Sequence, residues 1–460
     1  MKSLVDTQGV LVAGLTQIRR QFSVPEGFAP EVVAAAEVAA QRVPSEHVDR
    51  TSVPFVTLDP ATSTDLDQAL WVERAGTDLL LHYAIADVAW FVRDGDVVDN
   101  EAWKRGTTLY LPDGKAGLYP PVLAEGAASL LPDGPRPAVV FVVRIDQHGD
   151  ARLDGVERSL IRSHAKLAYD TVEERQLPEG FSELARRVEA AAARRGATNI
   201  EPVEQQVEAV AGGYALTFRP RLQSEANNAA MSLSTNLAVG AALQAAKTGL
   251  FRVMDEPDVR AVKRLRYEAR ALSLQWPADQ PLGDFERTLD GSEPKQAAFL
   301  MAVRRAGGGA RYVPYQPGVT PWHAAMSATY SHATAPLRRL ADRYVVQAAL
   351  AIANGRPVPD AVADAFTRLP DVMEMADTVG NRIDRAIIDL AEVVMLQGRI
   401  GDTFAAVVTD EDERGARVRL CDEPVIARVN AKGVQPGDDV RVKLVATDAT
   451  QRTLQFERVA

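Results

Sequence analysis

The chain has 460 residues, a length that fits about two to four domains. Its hydrophobic fraction of 46% is typical of a globular protein. Its single cysteine excludes an internal disulfide framework, and the sequence has neither a signal-peptide-like N-terminus nor an apolar run of about 18 residues, so we expect a cytoplasmic protein without a membrane partner. The net charge of −10 argues against a general polyanion binder, although a nucleic-acid enzyme can confine its positive charge to a channel.

Residues 1–50 are predicted to be helical. Apolar residues recur at helical spacing over residues 11–22. Pro30 then opens a run rich in alanine and valine that extends to residue 42, as expected when proline occupies the first turn of a helix. Two short helices around residues 23–27 are either a helix-turn-helix or a plain helical lead-in to the next domain.

Residues 53–145 are predicted to be mainly β-structure. Residues 68–72 and 78–92 favour two strands that pair across a turn at residues 75–77, and residues 138–145 favour another strand. Residues 165–390 are mostly helical in pattern, with a long helix after Pro336. The sequence therefore predicts an α+β, multidomain protein.

Three aspartates follow the first strand-like run closely. Asp59, Asp65 and Asp67 lie in the segment LDPATSTDLDQA (residues 58–69). Like charges about 4 Å apart repel by about 4 kcal/mol at an effective dielectric near 20, so the carboxylates either point apart into water or share a cation. Asp65 and Asp67 share one face of an extended segment, and carboxylate oxygens suit Mg²⁺ or Mn²⁺. The sequence thus predicts a divalent-metal site, with a solvated turn as the alternative.

A pair of arginines lies where the helix after Pro336 is predicted to begin. Cations in a first helical turn oppose the helix dipole at a cost of about 0.3–1 kcal/mol each, so Arg338 and Arg339 suggest a site for an anion such as phosphate. A salt bridge to Asp342 is the alternative for one of them, more readily for Arg339. Clustered carboxylates and phosphate-binding arginines are typical of phosphoryl transfer, and the sequence lacks the G-x-S-x-G motif of acyl-transfer enzymes and the Walker loop.

The last 60 residues contain five short β-rich runs with glycine or aspartate turns. Five strands in about 60 residues favour a small OB-type barrel, which often binds single-stranded nucleic acid, and an unrelated small barrel is the alternative. We therefore divide the chain into a helical N-terminal region at 1–50, a mixed α/β catalytic domain at 51–398 and an OB-type barrel at 399–460.

Several segments resemble the ribonuclease II group of exoribonucleases and its RNB catalytic domain. In chain order they are VTLDPATSTDLDQAL (56–70), YAIADVAWFVRDGDVVDNEAWKRGTTLYLPDG (83–114), AKLAYD (165–170), GLFRVMDEP (249–257) and SHATAPLRRLADRYV (331–345). Because the matching segments keep their order over residues 53–395 and a predicted barrel follows, the chain is identified as a short form of this family.

The resemblance implies a processive 3′→5′ exoribonuclease. Such an enzyme hydrolyses single-stranded RNA to nucleoside 5′-monophosphates by two-metal-ion catalysis, with Mg²⁺ or alternatively Mn²⁺ as the cofactor. We expect a monomer, because a chain that encloses a threaded strand needs no second copy. Two rival hypotheses stay open: a catalytically weakened relative that binds RNA without cutting it, and a metal-dependent DNase or phosphatase.

The resemblance also assigns the charged site residues. Asp59, Asp65 and Asp67 would be metal ligands at the scissile phosphate and part of the catalytic set. Arg338 falls on the arginine that holds this phosphate and stabilises its transition-state charge. Arg339, the next residue, is a further candidate for substrate binding.

Four aromatic candidates for substrate binding follow from the same resemblance. Tyr110 falls on an aromatic that stacks against the 3′-terminal bases, and Tyr169 on a tyrosine close to a ribose 2′-hydroxyl. Either Phe218 or Phe251 would be a second stacking aromatic, with a core position as the alternative for both. Asp384 matches a glutamate of the family loosely.

Two departures from the family pattern affect these expectations. The family usually has a fourth aspartate after Asp67, where this chain has Gln68. The amide can still offer its oxygen to a metal, but one negative charge is lost, so we expect weaker binding of one ion or, in the more severe case, loss of activity. The family also carries two cold-shock-type barrels before the catalytic domain, which residues 1–50 cannot hold. We therefore expect weaker binding of long RNA and easier entry of structured RNA with a 3′ overhang.

Overall fold

The computed structural model describes residues 2–4, 9–198, 205–210, 213–219, 221–291, 293–412, 415–431 and 433–459. The helices are α1 (Val10–Gln21), α2 (Pro30–Ala40), α3 (Val88–Phe91), α4 (Val97–Arg105), α5 (Phe181–Arg195), α6 (Gln223–Ala245), α7 (Val259–Ala271), α8 (Leu282–Glu286), α9 (Pro294–Ala306), α10 (Leu340–Ala353) and α11 (Asp360–Leu396). The strands are β1 (Lys2–Leu4), β2 (Val48–Asp49), β3 (Phe55–Asp59), β4 (Gln68–Ala75), β5 (Asp78–Ala86), β6 (Leu109–Leu111), β7 (Gly114–Ala116), β8 (Pro135–Ile145), β9 (Ala151–Ala168), β10 (Gln205–Val210), β11 (Gly213–Phe218), β12 (Leu250–Met254), β13 (Ala310–Pro314), β14 (Trp322–His323), β15 (Ala328–Thr329), β16 (Thr403–Asp412), β17 (Gly415–Leu420), β18 (Ile426–Asn430), β19 (Asp439–Asp448) and β20 (Thr453–Val459).

The largest hydrophobic core surrounds a six-stranded sheet in the order β2-β9-β3-β4-β5-β8. Strand β8 also pairs with β9, so the sheet closes on itself through this 18-residue strand. The predicted hairpin is present: Ala75 pairs with Asp78 across a turn in which Gly76 has a φ of 67°, a conformation that glycine adopts without strain. Strand β5 ends at Ala86 rather than at residue 92, because the Asp87 carboxylate accepts a hydrogen bond from Trp90 N–H and caps α3.

Residues 165–390 are less uniformly helical than the sequence predicts. Between α6 and α10 in the sequence, four strands form a sheet in the order β13-β12-β14-β15. Strand β10 pairs with β11 in a second small sheet. The sheet that contains β12 positions the segment before α10: Arg252 N–H donates to the Tyr330 carbonyl oxygen at 2.9 Å, and Ser331 Oγ donates to the Leu250 carbonyl oxygen at 2.6 Å. This segment leads directly to Arg338.

The two N-terminal helices pack against different parts of the protein. Leu11, Leu15 and Ile18 of α1 join the hydrophobic cluster of the C-terminal half of α11, whereas Val32 and Ala36 of α2 belong to the main core. A helix-turn-helix, whose two helices pack on each other, would place both in one cluster. Strand β1 pairs with β11, a contact between residues far apart in the sequence that the pattern of residues 1–50 does not indicate.

The C-terminal strands form a closed barrel in the order β16-β17-β18-β20-β19, which confirms the predicted five-stranded OB-type barrel and the α+β class. The barrel has its own apolar core, and Leu396 at the end of α11 belongs to it. The buried Glu392 of α11 links the two units, because its Oε1 accepts hydrogen bonds from Ile426 N–H at 2.8 Å and Gln205 Nε2 at 2.6 Å. No helix in the described ranges is long and apolar enough to span a membrane.

Candidate active site

The end of β3 and the segment that leads to β4 carry the three aspartates, and hydrogen bonds hold the backbone of this segment at Leu66. Leu66 is fully buried; its N–H donates to Ser129 Oγ at 2.9 Å, and its carbonyl oxygen accepts from Leu130 N–H at 3.0 Å. Asp65 and Asp67 flank this buried residue in a stretch without regular secondary structure.

Asp67 and Arg338 meet, although 271 positions separate them in the chain. Arg338 Nε lies 3.3 Å from Asp67 Oδ2, and Leu337 N–H donates to Asp67 Oδ1 at 2.7 Å. Asp67 is 5% exposed, and burial raises the pKa of its carboxyl to about 7 against the opposing effect of Arg338. The carboxylate therefore depends on nearby positive charge to remain ionised.

Asp65 is engaged through both of its oxygens. The Tyr110 hydroxyl donates to Oδ2 at 2.6 Å, and Lys115 Nζ lies 2.8 Å from Oδ1. Lys115 also lies 3.1 Å from Glu125 Oε1, so this lysine bridges two carboxylates. The sequence does not indicate a role for Lys115 or Glu125; the local signal is a lysine in the β6–β7 hairpin that carries Tyr110.

Asp59 is the carboxylate best placed to receive a cation. It ends β3, is partly exposed, and its side chain makes no hydrogen bond to the residues that the structure describes. Burial raises the pKa of Asp59 to about 6, Arg338 lowers it, and the charge of Asp65 raises it further. A divalent cation near Asp59 and Asp65 would lower the pKa of Asp59 and favour its ionised form.

The described side chains fit a partly hydrated ion rather than a closed metal cage. Within the described part of the chain, no three His, Cys, Asp or Glu side chains form a ready metal-binding group. Mg²⁺ is typically held by one or two carboxylates, substrate phosphates and retained waters, and Asp59 and Asp65 offer such hard oxygen donors. Asp67 lies on the Arg338 side of the same cluster.

The structure gives Gln68 a different role from that of a metal ligand. Its Oε1 accepts hydrogen bonds from the Tyr83 hydroxyl and from Ser232 Oγ at 3.3 Å, which uses both lone pairs of the oxygen. Its Nε2 donates to the Thr334 carbonyl oxygen at 2.6 Å. Gln68 therefore ties β4 to β5, α6 and the segment before Arg338, and the structure does not support it as a ligand.

Arg338 and Arg339 lie before α10 rather than in its first turn. Residues 336–338 form a turn, and Arg339 is the N-cap residue with an extended conformation, because the N–H of Thr108 and the hydroxyl of Thr107 both donate to the Arg338 carbonyl oxygen. Arg339 makes a bidentate ion pair with the buried Asp342, at 2.9 and 2.7 Å, as expected for one of the two arginines. Arg338 is left as the arginine that faces the aspartates.

The aromatic candidates lie in different surroundings. Tyr110 is 50% exposed and borders an open cavity whose other wall is α11, including Asp377 and Asp384. Tyr169 follows β9, and its N–H donates to the Asp59 carbonyl oxygen at 3.2 Å, while its hydroxyl accepts from Asn228 Nδ2 at 2.9 Å. Tyr110 and Tyr169, two of the four aromatic candidates, therefore adjoin the aspartates.

The two candidates for a second stacking aromatic do not border this cavity. Phe251 is fully buried in the main core, so it cannot stack on a base, and that assignment is wrong. Phe218 lies beneath the Arg419 guanidinium, 3.9 Å from the ring centre, in a separate groove between β11 and the barrel.

Residues 47–353 match the RNB domain model, and residues 402–459 match the RNase II-type exonuclease C-terminal S1 domain. The chain belongs to the RNB family. Among curated RNB relatives, the Ribonuclease R of Aquifex aeolicus is 24% identical over 494 residues, covering 96% of this chain and 70% of the relative. The chain spans 59 to 61% of Ribonuclease R from two Vibrio species and Escherichia coli.

Solved RNB structures share the fold. Mycoplasma genitalium RNase R, in complex with ribose-methylated single-stranded RNA, has a TM-score of 0.88 at 19% identity and covers all of this chain and 79% of its own; its complex with double-stranded RNA has a TM-score of 0.84. Yeast Ssd1, described as a pseudonuclease, has a TM-score of 0.72 at 18% identity, covering 96% of this chain and 58% of its own. These likenesses establish the fold of the RNB and barrel units.

Proposed function

We propose that the protein is a divalent-metal-dependent 3′→5′ exoribonuclease that processively releases nucleoside 5′-monophosphates from single-stranded RNA. The observation that carries the proposal is the meeting of Asp67 with Arg338, beside Asp59, Asp65 and the exposed ring of Tyr110. Membership of the RNB family and the RNA-bound RNase R of similar fold support the same substrate class.

Metal binding falls to the aspartates. Asp59 and Asp65 would hold one ion, and Asp67 would offer oxygens to a second ion. When bound, Mg²⁺ or Mn²⁺ lowers the pKa of a coordinated water and offsets negative charge on phosphate oxygens. Hydrogen bonding to Leu337 and the nearby Arg338 both favour the ionised form of Asp67, which is the form that can bind a cation.

Arg338 stabilises the charge that develops on the phosphate. Only its Nε faces Asp67, and Nη1 and Nη2 make no hydrogen bond with any residue in the described ranges. These donors are available for non-bridging phosphate oxygens, where a fixed cation stabilises the transition state more than the ground state. The two hydrogen bonds to its carbonyl oxygen fix the backbone from which the guanidinium extends.

Tyr110 and Tyr169 position the terminal nucleotides. Stacking on the exposed Tyr110 ring is worth about 1–3 kcal/mol per base and does not depend on sequence, which suits a processive enzyme. The Tyr169 hydroxyl lies close to Asp59 and Asn228 and can contact a ribose 2′-hydroxyl, the group that distinguishes RNA from DNA. Structured RNA with a 3′ overhang is a further proposed substrate, because M. genitalium RNase R, which has a similar fold, is known in complex with double-stranded RNA.

A catalytically weakened RNA-binding relative is the second candidate. Gln68 is neutral and its oxygen is already hydrogen-bonded, and the pseudonuclease Ssd1 has a similar fold. A 5′-labelled single-stranded RNA incubated with the protein and MgCl₂ separates the candidates. Progressive shortening from the 3′ end, with release of nucleoside 5′-monophosphates, supports the exoribonuclease. Binding without shortening supports the weakened relative, and equal degradation of a DNA of the same sequence contradicts both.

A further inference from the structure

Helix α7 presents a basic face that the proposed catalytic site does not use. The helix contains five basic residues and one acidic residue, in a chain with a net charge of −10. Arg260, Lys263, Arg264 and Arg270 are exposed, and their spacing of three, four and ten positions from the first places them along one side of the helix. We call these four residues, with the exposed Tyr267, the α7 basic face.

The cations of the α7 basic face are not neutralised by the protein. Arg260, Lys263 and Arg264 make no side-chain hydrogen bond or ion pair with any residue that the structure describes. Nearby carboxylates are used elsewhere: Asp258 caps α7 by accepting from Ala261 N–H, and Glu268 lies 3.8 Å from Arg305. Arg260 also lies in the first turn, where a cation opposes the helix dipole.

Arg266, the fifth basic residue of α7, has a structural role in the same helix. Arg266 donates to the carbonyl oxygens of Pro277, Ala278 and Gln280, and its guanidinium lies 4.0 Å from the Trp276 ring centre. It holds the loop after α7, whereas the other four reach into solvent. The opposite side of α7 packs through Leu265 and Ala269 into a small apolar cluster, so the helix itself is firmly seated.

The location of α7 connects the site with the barrel. The helix follows β12, which is hydrogen-bonded to the segment that leads to Arg338. Its C-terminal end touches the turn before β19: a Cβ added to Gly437 would lie 2.6 Å from the Ala271 carbonyl oxygen. From Arg260 to Arg270 the face extends about 15 Å, long enough for several consecutive phosphates.

We propose that the α7 basic face is a second RNA-binding site, which holds the phosphate backbone of substrate RNA at a distance from the reacting 3′ end. The unpaired cations fit a polyanion, and Tyr267, 58% exposed and 5.7 Å from the Arg270 guanidinium, adds a surface on which a base stacks. This inference rests on RNA as the proposed substrate, and it adds a contact that depends on RNA length.

The test compares two triple variants of equal net charge. The first carries Arg260→Gln, Lys263→Gln and Arg264→Gln; glutamine is a good helix former, so α7 should keep its fold. The control carries Lys104→Gln, Arg152→Gln and Arg175→Gln, three exposed cations that are each paired with a carboxylate. Affinities for a 30-nucleotide and a 4-nucleotide RNA are measured by fluorescence anisotropy without metal, from 0.05 to 0.5 M salt.

The α7 variant should bind the 30-nucleotide RNA about 10- to 100-fold more weakly at 0.1 M salt, with the slope of log K against log salt reduced by about 2, and bind the 4-nucleotide RNA with little change. The control should match the wild type. Binding of the same variants to phosphatidylglycerol vesicles is measured in parallel. The inference is overturned by an unchanged slope, by an equal loss of RNA affinity in both variants, or by an α7 variant that loses affinity for the vesicles but not for RNA. Failure of the wild type to shorten RNA would instead refute the proposed function.

Discussion

Asp67 and Arg338 form an ion pair at 3.3 Å between the loop after β3 and the turn before α10, two parts of the chain that the main sheet and α6 bring together. The Asp67 carboxylate is buried and accepts a backbone hydrogen bond from Leu337 as well. This pair links the predicted metal site to the predicted phosphate site.

Asp67→Asn should abolish hydrolysis while RNA binding persists. The asparagine Oδ1 can keep the hydrogen bond from Leu337 N–H, so the fold should survive, but the negative charge is lost. We expect turnover to fall at least about 100-fold and affinity for RNA to remain close to that of the wild type. Loss of binding together with turnover would show a structural role, and Asp133→Asn, at an exposed position, is the control.

Arg338→Ala should mainly lower the catalytic rate, whereas Arg339→Ala should mainly lower the stability of the protein. Removing Arg338 should lower kcat about 100- to 1000-fold. It should destabilise the protein less than removing Arg339, because Arg338 is 41% exposed and makes a single 3.3 Å contact with Asp67 instead of a bidentate pair. Removing Arg339 leaves Asp342 buried without its ion pair, which should lower the free energy of unfolding by about 3 kcal/mol or more. Single-turnover kinetics and urea unfolding of both variants check this contrast. Equal effects on rate and stability in the two variants would contradict the separate roles.

Gln68→Asp should lower the stability of the protein and raise its affinity for Mg²⁺. The substitution restores a negative charge beside Asp67 but removes the hydrogen bond from Nε2 to the Thr334 carbonyl oxygen, at a cost of about 1–3 kcal/mol. We expect a lower melting temperature and a lower Mg²⁺ concentration for half-maximal rate. If the Mg²⁺ dependence is unchanged, the idea that Gln68 weakens the binding of one ion is wrong. Gln68→Ala separates the loss of the hydrogen bonds from the gain of charge.

Glu392 should make the stability of the protein depend on pH. Burial raises the pKa of Glu392 from 4.5 to about 7, against the hydrogen bonds from Ile426 and Gln205. Because the folded state holds the proton more tightly, this group favours folding most below pH 4.5, and the benefit is lost as the pH rises through about 7. The difference is at most about 3 kcal/mol.

Glu392→Gln is the variant that checks this dependence. Its Oε1 can still accept both hydrogen bonds, while no proton is gained or lost. Thermal unfolding from pH 5 to 8 should therefore show a smaller decline for the variant than for the wild type, with the variant more stable above pH 7. Parallel curves for the two proteins would contradict the assignment.

The sequence was sufficient where local pattern decides the structure. The hairpin at Gly76, the strand before Asp59 and the five strands of the barrel all follow from alternation of apolar residues and from turn residues close in the sequence. The match of family segments also indicated Asp67 and Arg338 as partners, which periodicity alone could not.

What the sequence did not indicate depends on contacts between distant segments. Nothing near Lys115 reveals that its ammonium lies on Asp65, 50 positions earlier, because a charged residue in a short hairpin is compatible with many partners. Phe251 looks the same in the sequence whether it faces a cavity or a core, and only the packing around β12 decides that it is buried. The N-cap position of Arg339 likewise results from its pairing with Thr107.

Helix α11 runs for 37 residues past the cavity beside Tyr110 and ends inside the core of the barrel. Its Pro370 precedes the cavity-lining residues, so the stretch from Ala376 to Leu396 is an uninterrupted rod of about 30 Å. Because the same helix lines the cavity and enters the barrel core, the length of α11 sets the separation between the cavity and the barrel.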